Sequence, residues 1–112
     1  MNYDVIIIGA GVSGSAVARE LSRFRGKIAV FEKEMDLCEG TTKANSGICH
    51  SGFDAKTGTL KAQLNVEGNQ MMEQLSKELD FPFIRNGSLV VALQGDSMEQ
   101  LVQLQKQGTI NN

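Results

Sequence analysis

No apolar run in this 112-residue chain approaches the ~20 residues that a membrane helix needs. The most apolar stretch, Val5 to Ile8, stops at Gly9-Ala10-Gly11. No charged leader precedes it, so it does not read as a secretory signal, and a cytoplasmic protein is expected. There is no basic excess either. Eleven Lys and Arg are scattered against thirteen Asp and Glu, giving a net charge of -2, which argues against a nucleic-acid footprint. Cysteine is scarce: Cys38 and Cys49 stand eleven positions apart, a spacing that matches no zinc motif and is too sparse for a disulfide framework. Reduced thiols and no metal are expected. Internal repeats and low-complexity tracts are absent. The remaining composition, 41% hydrophobic and 21% charged, is that of an ordinary globular protein.

The apolar residues that are present alternate between two periods. Tyr3 to Ile8 is β-branched without alternation, which predicts a strand buried on both faces. Ser15 to Phe24 carries Val17, Leu21 and Phe24 at helical spacing, and Arg25-Gly26 ends that helix. Lys27 to Glu32 reads as a second buried strand, closing a strand-helix-strand unit of about 30 residues. Residues 36 to 58, rich in Gly, Thr, Ser and Asn, read as loop with one short helix. From Thr59 the helical period returns, with Leu60, Leu64, Met71, Leu75 and Leu79 on one stripe and Met72 beside it, until Asp80 and Pro82. Gly87 to Leu93 is a predicted third strand, and Asp96-Ser97 a predicted cap for a last helix running to about Gln107.

Gly9-x-Gly11-x-x-Gly14 falls between the first strand and the first helix, where each glycine has a task. Gly9 permits the tight turn, Gly11 lets backbone approach a pyrophosphate, and Gly14 lets the helix pack close to the strand. The helix then turns its free N–H groups and positive dipole end toward phosphate. Glu32, 23 positions after Gly9 at the end of the second strand, suits a carboxylate accepting from ribose hydroxyls. It also disfavours a 2′-phosphate. These residues read as a dinucleotide site without separating NAD from FAD. The segment Gly40 to Gly52 crowds small hydrogen-bonding residues where NAD folds usually place a crossover helix, which favours the longer cofactor.

Tyr3 to Gly11, Phe31-Glu32-Lys33, Thr41-Thr42-Lys43-Ala44-Asn45-Ser46-Gly47 and His50-Ser51-Gly52 together resemble the FAD-dependent D-amino-acid-oxidase-like superfamily. Within it the chain is most similar to glycerol-3-phosphate dehydrogenases of the anaerobic large-subunit type. L-2-hydroxyglutarate oxidases share the Asn45-Ser46-Gly47 and His50-Ser51-Gly52 elements. The resemblance implies an α/β fold: the amino-terminal part of a doubly wound, Rossmann-like FAD domain over residues 1–80, then the start of a substrate domain over 81–112, of which Gly87 to Val91 resembles the first strand. It implies FAD as cofactor, a small-molecule substrate and an electron acceptor, with room for a partner subunit or a peripheral membrane attachment. Gly9, Gly11 and Gly14 would hold the pyrophosphate and Glu32 the adenosine ribose. Thr41, Thr42, Asn45, Ser46 and Gly47 would approach the pyrophosphate, ribityl chain or flavin.

His50, the only histidine, has three readings: a flavin-lining residue, the covalent flavin attachment known in some amine dehydrogenases, or an ordinary hydrogen-bonded imidazole. Arg85 reads as a surface arginine, with contact to an anionic substrate as the alternative. The family's substrate residues lie mostly in the later half of a longer protein, so no catalytic residue is assigned. The expected activity is oxidation of sn-glycerol 3-phosphate to dihydroxyacetone phosphate, with 2-hydroxy-acid or amine oxidation, an NAD-dependent enzyme and a non-catalytic nucleotide-binding module as alternatives. Alone, 112 residues are expected to be inactive, and their open strand edges to invite self-association.

Overall fold

The computed structural model describes residues 2–93 and 97–112, which form two compact units, Met1–Ile48 and Cys49–Asn112. In the first unit β1 (Val5–Ile8) and β2 (Ile28–Phe31) flank α1 (Val12–Leu21) in sequence. The strands pair in parallel from Val5 opposite Ile28 to Ile8 opposite Phe31. Polar contacts pin both ends of this short ladder. The Asp4 N–H donates to the Lys27 carbonyl at 2.9 Å while the Asp4 carboxylate accepts from the Lys27 N–H at 2.7 Å. At the other end the Gly9 N–H donates to Phe31 at 2.7 Å, with Gly9 at φ +96°, a conformation that favours glycine. Helix α1 opens inside the glycine motif and closes at Leu21, with Ser22 as C-cap, so Phe24 lies beyond it and is exposed.

In β1 alternation decides which residues are covered. Gly14 on α1 lies against Ile7, so Ile7 and Val5 share the half-buried face of β1. Ile6 and Ile8 point the other way and are 54% and 89% exposed. The expectation of strands buried on both faces is corrected here: within the first unit one helix covers one face of a two-stranded sheet, and no other described element of that unit covers the second face.

In the second unit the loop region 49–58 contains turns and bends but no helix, and none forms anywhere in 36–58, so the short helix expected there is not found. Helix α2 (Leu60–Leu79) starts under the Thr59 cap, whose hydroxyl accepts from the Ala62 N–H at 3.3 Å, and ends at Asp80 in the left-handed conformation, as Asp80 and Pro82 predict. The covered face of α2 overlaps the predicted one only in part. Ala62 is buried, with Val66, Asn69, Met72, Leu75 and Ser76 half-buried, whereas Leu60, Leu64, Met71 and Leu79 of the predicted stripe are exposed. Small residues explain this. A Cβ on Gly52 (φ +84°) would lie 2.9 Å from Val66 Cγ2, so only a glycine lets the loop before α2 settle on this face.

Gly87 to Leu93 forms no strand, because no described segment lies alongside to complete a ladder. Helix α3 (Met98–Asn111) begins at Ser97, whose hydroxyl accepts from the Glu99 N–H; Asp96 lies outside the described residues. It runs past Gln107 through Gly108, where a Cβ would come within 3.1 Å of Phe53. No helix among the described residues is long and apolar enough to cross a membrane.

Two helical glycines are expected to respond oppositely to alanine. At Gly14 a Cβ would collide with the Gly9 carbonyl oxygen and crowd Ile7. Overpacking of this kind outweighs the ~1 kcal/mol gained in helix propensity, for a net loss of roughly 1–2 kcal/mol. At Gly68 on α2 nothing stands within 4 Å, so Gly68→Ala should gain about 0.5–1 kcal/mol. Urea unfolding of the two variants against the parent protein measures both signs.

Candidate functional site

The glycine motif of the first unit is held from three sides. Ala10, 3% exposed, is the meeting point. Its N–H donates to Glu32 Oε2 at 2.7 Å, which joins the end of β2 to the turn after β1. Its carbonyl accepts from the Cys38 N–H at 3.3 Å and the Cys38 thiol at 3.5 Å, and from the Ser15 hydroxyl at 3.4 Å. Cys38 adopts φ +62°, unusual for a side-chain-bearing residue.

Glu32 Oε1 accepts from the N–H groups of Lys33 at 2.8 Å and Glu34 at 3.1 Å. A carboxylate has about four lone-pair sites. Three are engaged, and the one left is on Oε2, beside the glycine turn. The Ala10 N–H above all, then that of Glu34, holds the Glu32 carboxyl below its ordinary value, with Lys33 adding its own N–H and its positive charge.

The first intrahelical bond of α1 runs from the Ser15 N–H to Gly11, so the N–H groups of Val12, Ser13 and Gly14 have no acceptor within the helix. That of Val12 is met by the Thr42 hydroxyl at 3.0 Å. The same hydroxyl would lie 2.9 Å from a Cβ on Gly11. Gly11 therefore makes room for Thr42 as well as for any ligand, and a residue 30 positions downstream caps a helix that Gly11 cannot cap.

Asn45 shapes the loop carrying Thr41 and Thr42. Its Nδ2 donates to the carbonyls of Thr41 at 3.2 Å and Thr42 at 2.6 Å, and its Oδ1 accepts from the Gly47 N–H at 2.8 Å. Gly47 sits at φ +65°. Thr41 and Ser46 are exposed on the same loop. Of the residues expected to hold a cofactor, the structure thus brings Gly9, Gly11, Gly14, Glu32 and Thr42 together directly, with Thr41, Asn45, Ser46 and Gly47 on the loop behind Thr42.

His50 belongs to the second unit. Its Nδ1 stands 3.8 Å from Asp54 Oδ2, and its side chain is 57% exposed. The backbone on either side is tied down: Asn69 Nδ2 donates to the carbonyls of Cys49 and His50, both at 3.3 Å. Arg85, expected as a plain surface residue, donates through Nη1 to Asn69 Oδ1 at 3.0 Å, through Nη2 to the Asn69 carbonyl at 3.2 Å and through Nε to Glu73 at 3.3 Å.

A family model for FAD dependent oxidoreductases matches residues 4–111. The chain belongs to that family. It is 53% identical over 109 residues to a glycerol 3-phosphate dehydrogenase of Caloramator mitchellensis, covering 97% of this chain and 23% of that protein. It is 36% identical over 111 residues to the mitochondrial L-2-hydroxyglutarate dehydrogenase of Dictyostelium discoideum, covering 97% and 25%. Among solved structures it matches the dithionite-reduced, FAD-bound L-alpha-glycerophosphate oxidase of Mycoplasma pneumoniae with a TM-score of 0.88 at 35% identity, covering 100% of this chain and 30% of that one. The chain therefore spans about a quarter of the length of the curated relatives it matches.

In this family member Ala10, Cys38 and Asn69 organise the loops without having stood out in the sequence. Ala10 offered one signal, a small residue between two glycines. Cys38 and Asn69 offered none, because backbone conformation and side-chain direction are tertiary properties.

Two outcomes follow for the first unit. Gly11→Ala should lose roughly 1–2 kcal/mol of stability by crowding Thr42, and most of that loss should vanish in a Thr42→Ala background, where the hydroxyl is gone. A double-mutant cycle in urea measures the coupling. Separately, because the folded state lowers the Glu32 pKa, its stabilisation is present above the unfolded pKa and disappears as pH falls through the folded one. Stability of the parent relative to Glu32→Gln should therefore be greatest near neutrality and shrink below about pH 4, read from thermal unfolding across pH.

Proposed function

We propose that the Gly9–Gly14 turn and the Glu32 carboxylate bind the adenosine diphosphate half of FAD, in a protein that oxidises sn-glycerol 3-phosphate to dihydroxyacetone phosphate. The observation that carries the cofactor reading is the Glu32 Oε2 bond to Ala10. It holds the carboxylate at the lip of the glycine turn, with one acceptor position left for a ribose hydroxyl. A flavin, when bound, supplies the acceptor for a hydride from the carbon that bears the hydroxyl.

The chain's own residues bind and orient. The N–H groups of Ser13 and Gly14, with the positive end of α1, meet the pyrophosphate charge. The Thr42 hydroxyl, which accepts from the Val12 N–H, keeps its own O–H to donate to a phosphate oxygen. Asn45 keeps the Thr41–Gly47 loop in shape while Thr41 and Ser46 remain free to reach the ligand. On the motif resemblance, His50-Ser51-Gly52 is the stretch that faces the flavin, and residues 81–112 begin the substrate domain. The substrate reading rests on similarity to glycerol 3-phosphate enzymes, which is higher than that to the hydroxyglutarate enzyme.

The natively expressed protein should purify with releasable FAD, and anaerobic glycerol 3-phosphate should bleach its visible flavin band. L-2-hydroxyglutarate should leave the band intact; bleaching by that acid alone would replace the substrate reading. In Glu32→Gln the FAD dissociation constant should rise about ten-fold, the cost of one charge-assisted hydrogen bond. An unchanged constant would remove Glu32 from the ribose site.

A further inference from the structure

The loop that carries His50 is held by carboxamides. Asn69 on α2 donates to the carbonyls of Cys49 and His50. Asn111 on α3 donates to those of Gly52 and Ala55, both at 2.7 Å, and Gln107 to that of Phe53 at 2.8 Å. Five carbonyls within seven residues are thus oriented by three amide side chains. Nothing in regular secondary structure would otherwise fix them.

The sense of the Asn69 carboxamide is dictated chemically. A guanidinium only donates, so the atom facing Arg85 Nη1 at 3.0 Å is the oxygen, and the NH2 group is left facing two carbonyls that only accept. The reversed amide would set donor against donor and acceptor against acceptor. Arg85 is itself directed by Glu73 and by the Phe83 ring, 5.2 Å below its guanidinium carbon.

We propose that Asn69, oriented by Arg85, is a positioning residue that sets the direction in which the His50 imidazole leaves the backbone. The proposal rests on the reading that the His50 segment faces the flavin. The bond to the His50 carbonyl lies in an exposed setting, where water would satisfy that oxygen equally well. The effect of the carboxamide is therefore geometric: it narrows the backbone to one conformation at the residue whose side chain points outward. Gly52 at φ +84° and the close approach of Val66 allow that conformation to sit against α2.

Asn69→Asp tests this with minimal change of shape, because it keeps the acceptor for Arg85 and replaces the two donors by a charged oxygen that cannot bond the carbonyls. In the natively expressed, FAD-loaded protein it should change the shape of the visible flavin band in the same direction as His50→Ala and raise the FAD dissociation constant at least threefold. Gln74→Glu makes the same amide-to-carboxylate change on an exposed face of α2, where Gln74 serves only Glu78, and should alter neither readout. Arg85→Met, at a side chain that is 48% exposed, should give a smaller change of the same sign; it decides the matter alone if circular dichroism shows Asn69→Asp unfolded. A flavin band that responds to His50→Ala but to neither Asn69→Asp nor Arg85→Met would overturn the positioning role and leave the flavin-facing reading standing. A band indifferent to His50→Ala would remove that reading and the positioning role with it.

Discussion

The Ala10 peptide is the point at which the first unit becomes one object. Its N–H reaches the acid that ends β2, and its carbonyl gathers Cys38 and the Ser15 hydroxyl of α1. Three chain segments separated by up to 28 positions therefore share one peptide group, and that peptide lies between the first two glycines of the motif. The glycines matter in relation to it. Gly9 turns the chain out of β1 with a positive φ, and Gly14 removes the side chain that would strike the Gly9 carbonyl. A carboxylate aimed at this peptide serves the fold, by satisfying a buried donor, and the proposed ligand, by standing where a ribose would arrive. The depressed Glu32 pKa is the electrostatic signature of the first role.

Irregular segments face the problem of backbone groups with no ladder or helix to receive them. The two units meet it with the same chemistry used at different points. In the first, Asn45 and Thr42 serve the Thr41–Gly47 loop and the start of α1. In the second, Asn69, Gln107 and Asn111 serve the loop from Cys49 to Ala55. A carboxamide is suited to this because its two donors bridge neighbouring carbonyls while its oxygen takes an N–H or a guanidinium. Both loops are those whose composition matches the flavoenzyme family, so the motif residues and the residues that shape them are only partly the same set.

That partial overlap explains what was legible in the sequence. The strand-helix-strand unit, the glycine turn and the acid at the end of β2 are written in local period and spacing, and the structure places them together. The long helix was legible in extent, from the Thr59 cap to Asp80, but only in part in facing. Of its apolar stripe from Leu60 to Leu79, Leu75 is half-buried, with Met72 beside it, whereas the deepest burial falls on Ala62 and the covered face also carries Asn69 and Ser76. Hydrophobic period assumes that burial is apolar, and here a polar residue was turned inward to hold a loop. The third strand failed for a related reason. Gly87 to Leu93 has strand composition, but a strand exists only with a partner, and composition cannot supply one.

Burial and site geometry are consequently decoupled in this chain. The buried apolar residues among those described are alanines: Ala10, Ala55 and Ala62. Three alanines bury too little apolar surface to offset the backbone entropy of the ordered chain. The large apolar side chains that would do so, among them Ile6, Ile8, Phe31, Leu64 and Leu89, are exposed on faces that no described element covers. Relatives of which this chain spans about a quarter have the additional length to cover them. Apolar burial within these residues is thus slight, whereas the shapes of the two loops are set locally by hydrogen bonds. Substitutions at Ile6 or Ile8 would then act on how much protein is folded. Substitutions at Thr42, Asn45 or Asn69 would act on the shapes of the two loops. The two classes differ because the side chains that shape the loops are polar and hydrogen-bonded, while Ala10, which is buried, acts through its peptide group.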